Sequence, residues 1–284
     1  MVKQRSLNNL NKKNIYKNLA EIKGKNGLID QIDLYIEKET DSTNEKAKRF
    51  IKKLSSTAIK ELSEDRLFIF AADRQLEGKG RRGKKWLSSS EKSLSVSFLF
   101  KLPENYPEIP QVTAAAALAV KNTFEKFSLK TDIKWPNDIL VNNKKICGIL
   151  SELFFTEDKS AFVIIGCGVN LNNSCFNEEI KKSATSFYLE KSKKINKNIF
   201  LSNFIFEIED YINKYFSGYR KEVISKWKKS LNIIGKKVKV RENNTLYNVI
   251  IKDVLDSGEI LAELEDGSKK TFHSFNTSFE YSNL

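Results

Sequence analysis

The sequence predicts an α+β fold: a mixed β-sheet flanked by helices, followed by a small antiparallel β-barrel. Three observations carry this. The β-rich apolar runs of the first part of the chain come partly as hairpins rather than in strict βαβ alternation. Ala-rich and amphipathic helical text lies between and after them. Beyond about residue 231 the texture changes to short strands joined by "NN", "DSG" and "EDGS", the spacing of a small barrel. The boundaries expected are 1–30 for a basic N-terminal extension, 31–230 for the main domain and 231–284 for the barrel.

The N-terminal stretch is basic and nearly free of acid, and it reads as a helical extension, with organelle targeting as the alternative. "DLYIEK" (33–38) alternates like a strand. "DSTNEKAKRFIKKL" (41–54) opens on three capping residues, Asp41, Ser42 and Thr43. Its Ala47, Phe50, Ile51 and Leu54 recur at helical spacing. "RLFIFAA" (66–72) is a buried strand entering a glycine-rich basic loop, and "SLSVSFLF" (93–100) is the strand leaving it. Pro110 introduces the Ala-rich helix "QVTAAAALAVKNTFEKF". Asn142 and Asn143, between "ILV" and "KKICGILSELFF", suit a two-residue hairpin turn because Asn tolerates positive φ. "AFVIIGCGVNLN" (161–172) is another buried strand, and amphipathic helices are expected near 198–216 and 219–230.

Composition narrows the chemistry. With 284 residues, 40% of them apolar, the chain is long enough for a sizeable core. No apolar run approaches ~18 residues, so no membrane span is expected. Cys147, Cys167 and Cys175 form no CxxC; Cys147 and Cys167 read as buried thiols of a reducing, cytoplasmic setting. His273 is the only histidine, which excludes Ser-His and Cys-His catalysis and disfavours a zinc site. Net charge is +13, yet residues 231–284 hold seven Lys/Arg against eight acids, so the excess lies in the front and middle of the chain. A Lys-rich compositional bias accounts for much of it; attraction for anionic ligands, protein surfaces or nucleic acid is the functional alternative.

The loop "QLEGKGRRGKKW" (75–86) sets Gly78, Gly80 and Gly83 among Lys79, Arg81, Arg82, Lys84 and Lys85. Glycine lets backbone amides converge on an anion, and arginine binds phosphate bidentately, so the loop suits a polyphosphate. It fits neither the P-loop nor the dinucleotide pattern. In "KWPND" (134–138), period-2 alternation points Lys134 away from Ile133 and Trp135, and Asn137 and Asp138 follow at the strand end. "GCGVN" (166–170) adds a second close-approach site followed by the amide of Asn170.

Four segments in this order, "DSTN", "GKGRRGKKW", "KWPND" with "KICGILSE", and "GCGVNLN", resemble biotin protein ligases (biotin–[acetyl-CoA-carboxylase] ligases). The resemblance runs from about 33 to 172 and continues more weakly through the barrel. It implies a catalytic domain related to class II aminoacyl-tRNA synthetases and an SH3-like C-terminal domain. It also implies an enzyme that uses biotin and ATP with Mg²⁺, forms biotinyl-5′-AMP, and passes the biotinyl group to a lysine of a biotin carboxyl carrier domain. Two anions must meet in that reaction, so cations around the loop have a purpose. The loop is expected to be poorly ordered without ligand and to order over the activated intermediate.

Residue roles follow from the resemblance. Ser42, Thr43 and Asn44 match the biotin-contacting "STN", with helix capping as the competing role for Ser42 or Thr43. Gln75 matches a biotin-contacting glutamine, and Gly78 belongs to the same loop. Lys79, Gly80 and Arg81 match "RGR"; Lys79 replaces the first arginine, keeping the charge without the bidentate fork. Arg81 would hold the intermediate. Lys134, the leading catalytic candidate, would bridge the biotin carboxylate and the α-phosphate. Gly148 and Gly166 would let biotin lie on strand backbone. Arg81, Arg82, Trp86, Asn137 and Asn170 would serve the nucleotide, Asn137 and Asn170 by touching it or orienting its metal, and Trp86 by stacking on adenine or, alternatively, as a buried core residue. No spacing identifies Mg²⁺ ligands and none is assigned.

Some bacterial members are also repressors with an N-terminal winged helix-turn-helix of ~60 or more residues. Here about 30 residues precede the first catalytic strand. No specific DNA partner is therefore expected, and no membrane partner; the resemblance leaves a homodimer open. The C-terminal "FHSFNTSFEY" lacks the Gly-Glu step common in the family's last hairpin. Two further readings compete: a biotin-sensing nucleic-acid-binding regulator, and a lipoate-type acyl ligase on a related fold.

Overall fold

The computed structural model describes residues 7, 9–23, 31–87, 92–104, 109–231 and 233–280. Parts of the predicted 1–30 extension and the last four residues lie outside them. The elements are α1 (Lys12–Lys23), β1 (Ile32–Thr40), α2 (Thr43–Lys52), α3 (Ser56–Glu61), β2 (Leu67–Gln75), β3 (Ser93–Lys101), α4 (Ile109–Lys126), β4 (Asp132–Lys134), β5 (Asp138–Val141), β6 (Lys144–Phe155) and β7 (Ala161–Asn170). They continue as α5 (Phe187–Lys191), α6 (Lys197–Phe216), α7 (Arg220–Leu231), β8 (Lys237–Glu242), β9 (Thr245–Val254), β10 (Ile260–Leu264), β11 (Lys269–Phe272) and β12 (Thr277–Glu280).

β1 to β7 form one seven-stranded sheet in the order β1-β2-β3-β7-β6-β5-β4. Only the β1–β2 pair is parallel, so the sheet is mixed as predicted. Strand period decides what each face carries. One face sends Ile69, Val96, Phe98, Val163, Ile165 and Val169 into the main core, beneath α4 and α6. The other face of β2, β3 and β7 starts apolar: Phe68, Phe70, Leu99, Phe162 and Ile164 pack under Ala47 and Ile51 of α2. Further along the same face the side chains shrink to Ser97, Ser95, Gly166 and Gly168; the first turn of α2 reaches Ser97 and Gly166, and the Trp86 ring lies over Gly168. α2 thus covers half of this face and leaves a floor beside it.

Asn142 and Asn143 both have positive φ (49° and 61°), as a tight hairpin between β5 and β6 requires. The short helices α3 and α5 carry too little periodic text to be read in advance. α1 is part of the fold: Ile15 and Leu19 are buried, Asn11 N donates to Asn198 Oδ1 (2.7 Å), and Ser202 Oγ donates to Ile15 O (3.1 Å).

β8 to β12 form the separate five-stranded antiparallel sheet, ordered β11-β10-β9-β8-β12, that matches the SH3-like expectation. The last strand, β12, lies in text read only as a departure. The barrel seats on Trp135, whose Nε1 donates to Gly258 O (2.8 Å) and whose ring meets Phe279 at 5.0 Å. Gln111 Nε2 of α4 donates to Asp256 O (2.7 Å).

Asp73, on the helix-covered face of β2, pairs with Lys197 at the start of α6 (2.7 Å), and both are buried. Removing one partner strands a buried charge at a cost of ~3–5 kcal/mol, whereas replacing both by apolar residues is often nearly neutral. Lys197→Met should therefore lower unfolding free energy by about 3 kcal/mol or more in urea titration, and Asp73→Leu/Lys197→Met should recover most of it. A single variant as stable as the parent would contradict this.

Candidate functional site

The floor is built by strand register. Ala72, Ser95, Gly168, Gly148, Asp138 and Lys134 lie directly opposite one another across six neighbouring strands, forming one transverse row. The parallel row two residues away runs Phe70, Ser97, Gly166 and Leu150. Glycine is required at the centre. A Cβ on Gly168 would stand 2.5 Å from Trp86 Nε1, and one on Gly148 would stand 2.8 Å from Lys145 Nζ. A Cβ on Gly166 would come within 2.9 Å of Asn44 Cγ.

The wall at the helix end is a closed hydrogen-bond set. Ser97 Oγ donates to Asn44 Oδ1 (2.5 Å) and lies 2.7 Å from Thr43 Oγ1. Gln75 Oε1 accepts from Thr43 N (2.8 Å) and Thr43 Oγ1 (3.0 Å). Asn44 Nδ2 donates to Glu152 Oε2 (2.7 Å) and Leu150 O (3.3 Å). Both amide hydrogens of Asn44 are thus committed to the protein, so it braces the wall. Ser42 precedes α2 but makes no capping bond with its side chain, and it lines the pocket; the capping role expected as its alternative is not realised.

The basic loop folds on itself: Gly80 N donates to Lys84 O (2.6 Å) and Trp86 N to Gly78 O (2.8 Å). Gly78 stands against Trp86 O, 2.5 Å from where its Cβ would be, and Gly83 has φ +70°. This lays the Trp86 ring over Gly148 and Gly168, between two compartments. The central pocket is lined by Ser42, Thr43, Gln75, Gly80, Arg81 and Asn137, among others. The adjoining basin holds Lys84, Lys134, Asp138 and Asn170. Trp86 and Lys145 line both. Trp86 Nε1 and the floor hydroxyl Ser95 Oγ are buried without a hydrogen-bond partner.

The cations fall into three groups. Arg81 Nη1 donates to Asn137 Oδ1 (3.0 Å) and its Nη2 donates to Ser274 O of the barrel; Asn137 Nδ2 donates in turn to Ile149 O (2.6 Å). Burial draws the Arg81 guanidinium below its ordinary value, with Arg82 adding to this and Asp138 opposing. Lys79 pairs with Glu45 of α2 (2.8 Å), which also meets Lys48 (3.1 Å); hydrogen bonding to Lys79 is the main force holding Glu45 below the ordinary carboxylate range. Lys134 and Lys145 share Asp138. Burial depresses the Lys134 ammonium, Asp138 works the other way, and Lys145 and Lys84 depress it further.

The structure therefore brings most predicted residues together and separates a few. Lys134 lies in the basin rather than on the central pocket's lining, and Asn137 lies in the central pocket rather than with Asn170. Arg82, predicted to serve a nucleotide, has φ 56° and turns its Nε to Phe275 O of the barrel (3.3 Å). Sequence reasoning missed Ser97, Glu152 and Lys145; Ser97 was legible in the small-residue alternation of "SLSVS". Cys147 and Cys167 are buried thiols as predicted, both pushed upward by burial, and Cys175 is exposed. Among the described residues no three His, Cys, Asp or Glu side chains could hold a metal ion, and no helix is long and apolar enough to cross a membrane.

Residues 37–170 match the Biotin/lipoate A/B protein ligase family. The chain is 32% identical over 208 residues to the bifunctional ligase/repressor BirA of Bacillus spizizenii, a match spanning 72% of this chain and 64% of that one. It is 25% identical over 206 residues to the biotin–[acetyl-CoA-carboxylase] ligase of Mycobacterium tuberculosis, spanning 69% and 73%. Among solved structures, the biotin protein ligase of Aquifex aeolicus in complex with biotin and ATP superposes with a TM-score of 0.72 at 28% identity, covering 88% of this chain and 99% of that one. Residues 37–170 thus carry a biotin/lipoate A/B protein ligase domain, on a fold shared with biotin protein ligases.

Proposed function

We propose that the protein is an ATP-dependent biotin–protein ligase. The observation that carries this is the continuous row from the glycine floor to Lys134, which joins a small-molecule pocket to a cationic basin without a break. In the first step a biotin carboxylate oxygen attacks the α-phosphorus of ATP, the bond to the β-phosphate oxygen breaks, and pyrophosphate leaves. In the second, a carrier lysine amine attacks the acyl carbon, and the bond to AMP breaks. Biotin lies on Gly148, Gly166 and Gly168, with its ureido group toward Ser42, Thr43 and Gln75. Lys134 offsets the charge where carboxylate meets phosphate. Arg81, held between Asn137 and the barrel, closes the pocket over an anhydride that water would destroy. Mg²⁺ bound with the nucleotide would neutralise phosphate charge; such ions keep several waters and need only one or two side-chain oxygens.

The polar wall of Ser42, Thr43 and Gln75 favours a ureido ring over the apolar dithiolane of lipoate. Calorimetry with biotin and lipoate separates the two readings. The acceptor, a biotin carboxyl carrier domain, is tested by mixing protein, Mg-ATP, biotin and such a domain and weighing the carrier: a biotinyl mass gain supports the proposal, and its absence refutes it.

Three outcomes are expected. Lys134→Ala should cut biotinyl-AMP formation by on the order of 10²–10³-fold with an unchanged melting curve; near-normal turnover overturns its role. Arg81→Gly should let biotinyl-AMP escape and label bystander proteins, and selectivity equal to wild type would exclude that role. Because the Lys134 ammonium is depressed, adenylation should fail on the alkaline side below the ordinary lysine value of about 10.4. Asp138→Asn removes the group that favours the ammonium, so the alkaline limb should move to lower pH. A limb that stays in place would count against Lys134 as the titrating group.

A further inference from the structure

The basic loop is a small hairpin. Lys79 pairs with Lys85 in antiparallel register, Gly80 N donates to Lys84 O (2.6 Å), and Trp86 N donates to Gly78 O (2.8 Å). Its tip and its base are tied to different parts of the fold. At the tip, Arg81 and Arg82 reach carbonyls of the barrel. At the base, Lys79 Nζ lies 2.8 Å from Glu45 Oε1, in the first turn of α2. Because Lys79 and Lys85 are paired, whatever fixes Lys79 also fixes the chain that leads into Trp86 over the glycine floor.

The anchor for Lys79 is stiff. Glu45 Oε1 also meets Lys48 Nζ (3.1 Å), Lys48 Nζ meets Glu152 Oε1 of β6 (2.8 Å), and Glu152 Oε2 accepts from Asn44 Nδ2 (2.7 Å). Alternating charges therefore run from the hairpin base to the amide that braces the pocket wall. Glu45, Lys48 and Glu152 are largely buried, whereas the Lys79 side chain is half exposed, so Lys79 is the member free to leave. Two acids match two lysines in this chain of contacts. The Lys79 ammonium is thus neutralised by the protein before any anionic ligand arrives. An arginine fork at this position could hold the acid with one edge and a ligand with the other; a lysine is a single point charge, and here it is centred on Glu45.

We propose that Lys79 and Glu45 form a latch that keeps the hairpin shut over the activated intermediate, so that Lys79 acts on the protein rather than on the ligand. This inference rests on the ligase reading and deepens it. Both are positioning residues: neither touches the reacting atoms, and each works by holding the hairpin that carries Arg81 and Trp86. Opening the hairpin to release biotinyl-AMP requires Lys79 to part from Glu45 and both groups to be rehydrated. The latch therefore slows escape of the intermediate without entering either bond-making step. It also gives Glu45, which lies outside the chemistry, a measurable effect on how long the intermediate is kept for the carrier lysine.

The test uses the full-length protein loaded with Mg-ATP and radiolabelled biotin, with release of biotinyl-AMP timed by a chase of unlabelled biotinyl-AMP. Glu45→Gln, Lys79→Gln and the double variant should each release it about three- to fivefold faster than wild type, the span expected of a partly exposed ion pair. The double variant should be no faster than either single one, because all three break the same contact. Raising the salt concentration should speed release from wild type and change Glu45→Gln much less. Adenylation by Glu45→Gln at saturating substrates should stay within about twofold of wild type, which separates retention from chemistry. Fast release from Lys79→Gln with wild-type release from Glu45→Gln would assign Lys79 to the ligand and overturn the proposal, as would additive effects in the double variant. Should Glu45→Gln lower the melting temperature into the assay range, Glu45→Ala replaces it: faster release with a native melting curve supports the latch, and unchanged release overturns it. If wild type forms no biotinyl-AMP, the ligase reading itself fails and takes this inference with it; the wild-type control thus separates the two failures.

Discussion

Gly148 and Gly168 face each other across β6 and β7, and a side chain at either would strike Lys145 or Trp86. Glycine inside a strand costs on the order of 0.5–1 kcal/mol relative to alanine, so three glycines on one face are a standing loss of stability. The loss is tolerable because the same strands, a few residues along, bury Phe162 and Ile164 under α2 and Val163 and Ile165 under α4 and α6. One set of hydrogen-bonded strands is therefore core at one end and site at the other. Such a floor is rigid, which a close-fitting pocket needs.

The charge arrangement follows from the same rows. Lys134 and Lys145 reach the floor's end beside the Asp138 carboxylate, while Arg81 is held by neutral acceptors, Asn137 Oδ1 and a backbone carbonyl. Positive charge is in surplus where the two compartments join. Burial is the main cause that depresses Lys134, with Asp138 opposing it and Lys145 and Lys84 adding to it. Glu45 and Glu152, by contrast, are fully occupied with Lys79, Lys48 and Asn44 on the far wall. The acids that could neutralise the junction have been used to build the wall instead.

Much of this was readable in advance, and what was not has a physical explanation. Alternation in "AFVIIGCGVN" predicts that Gly166, Gly168 and Asn170 share a face, and paired asparagines predict the β5–β6 turn; both signals are local. The slip in the β5–β6 pairing, where Ile139 faces Cys147 but Leu140 faces Lys145, turns Lys145 to the face of Gly148 and is not local, since it is defined only by what β6 pairs with. By period alone Lys145 belongs on the opposite face from Gly148, and the sequence offers no cue otherwise. The Asp73–Lys197 pair joins residues 124 apart, and Arg82 turns to a carbonyl 193 residues away. Charge runs tell that a loop is basic; they do not tell which of its cations face inward and which are spent on a neighbouring element. Ser42 shows the converse: its residue type and position both say helix cap, yet its side chain makes no cap bond, while Asp41 Oδ1 accepts from Ser42 N (2.7 Å) and from Arg49.

The barrel has a part in the site that neither motif nor composition announces. Trp135 and Lys134 are consecutive, so strand geometry sends one to the barrel and the other to the basin. Trp135 is clamped there by Gly258 O and Phe279, which fixes the backbone from which Lys134 projects. On the other side of the pocket, Arg81 and Arg82 reach the carbonyls of Ser274 and Phe275 in the same barrel. Individually such contacts are worth about 1 kcal/mol or a little more. Jointly they set a geometry, because the strand end that carries the basin's Lys134 and the loop's inward arginine both contact the same barrel. A displacement of the barrel would therefore alter the separation of Lys134 and Arg81 even with every strand of the floor intact.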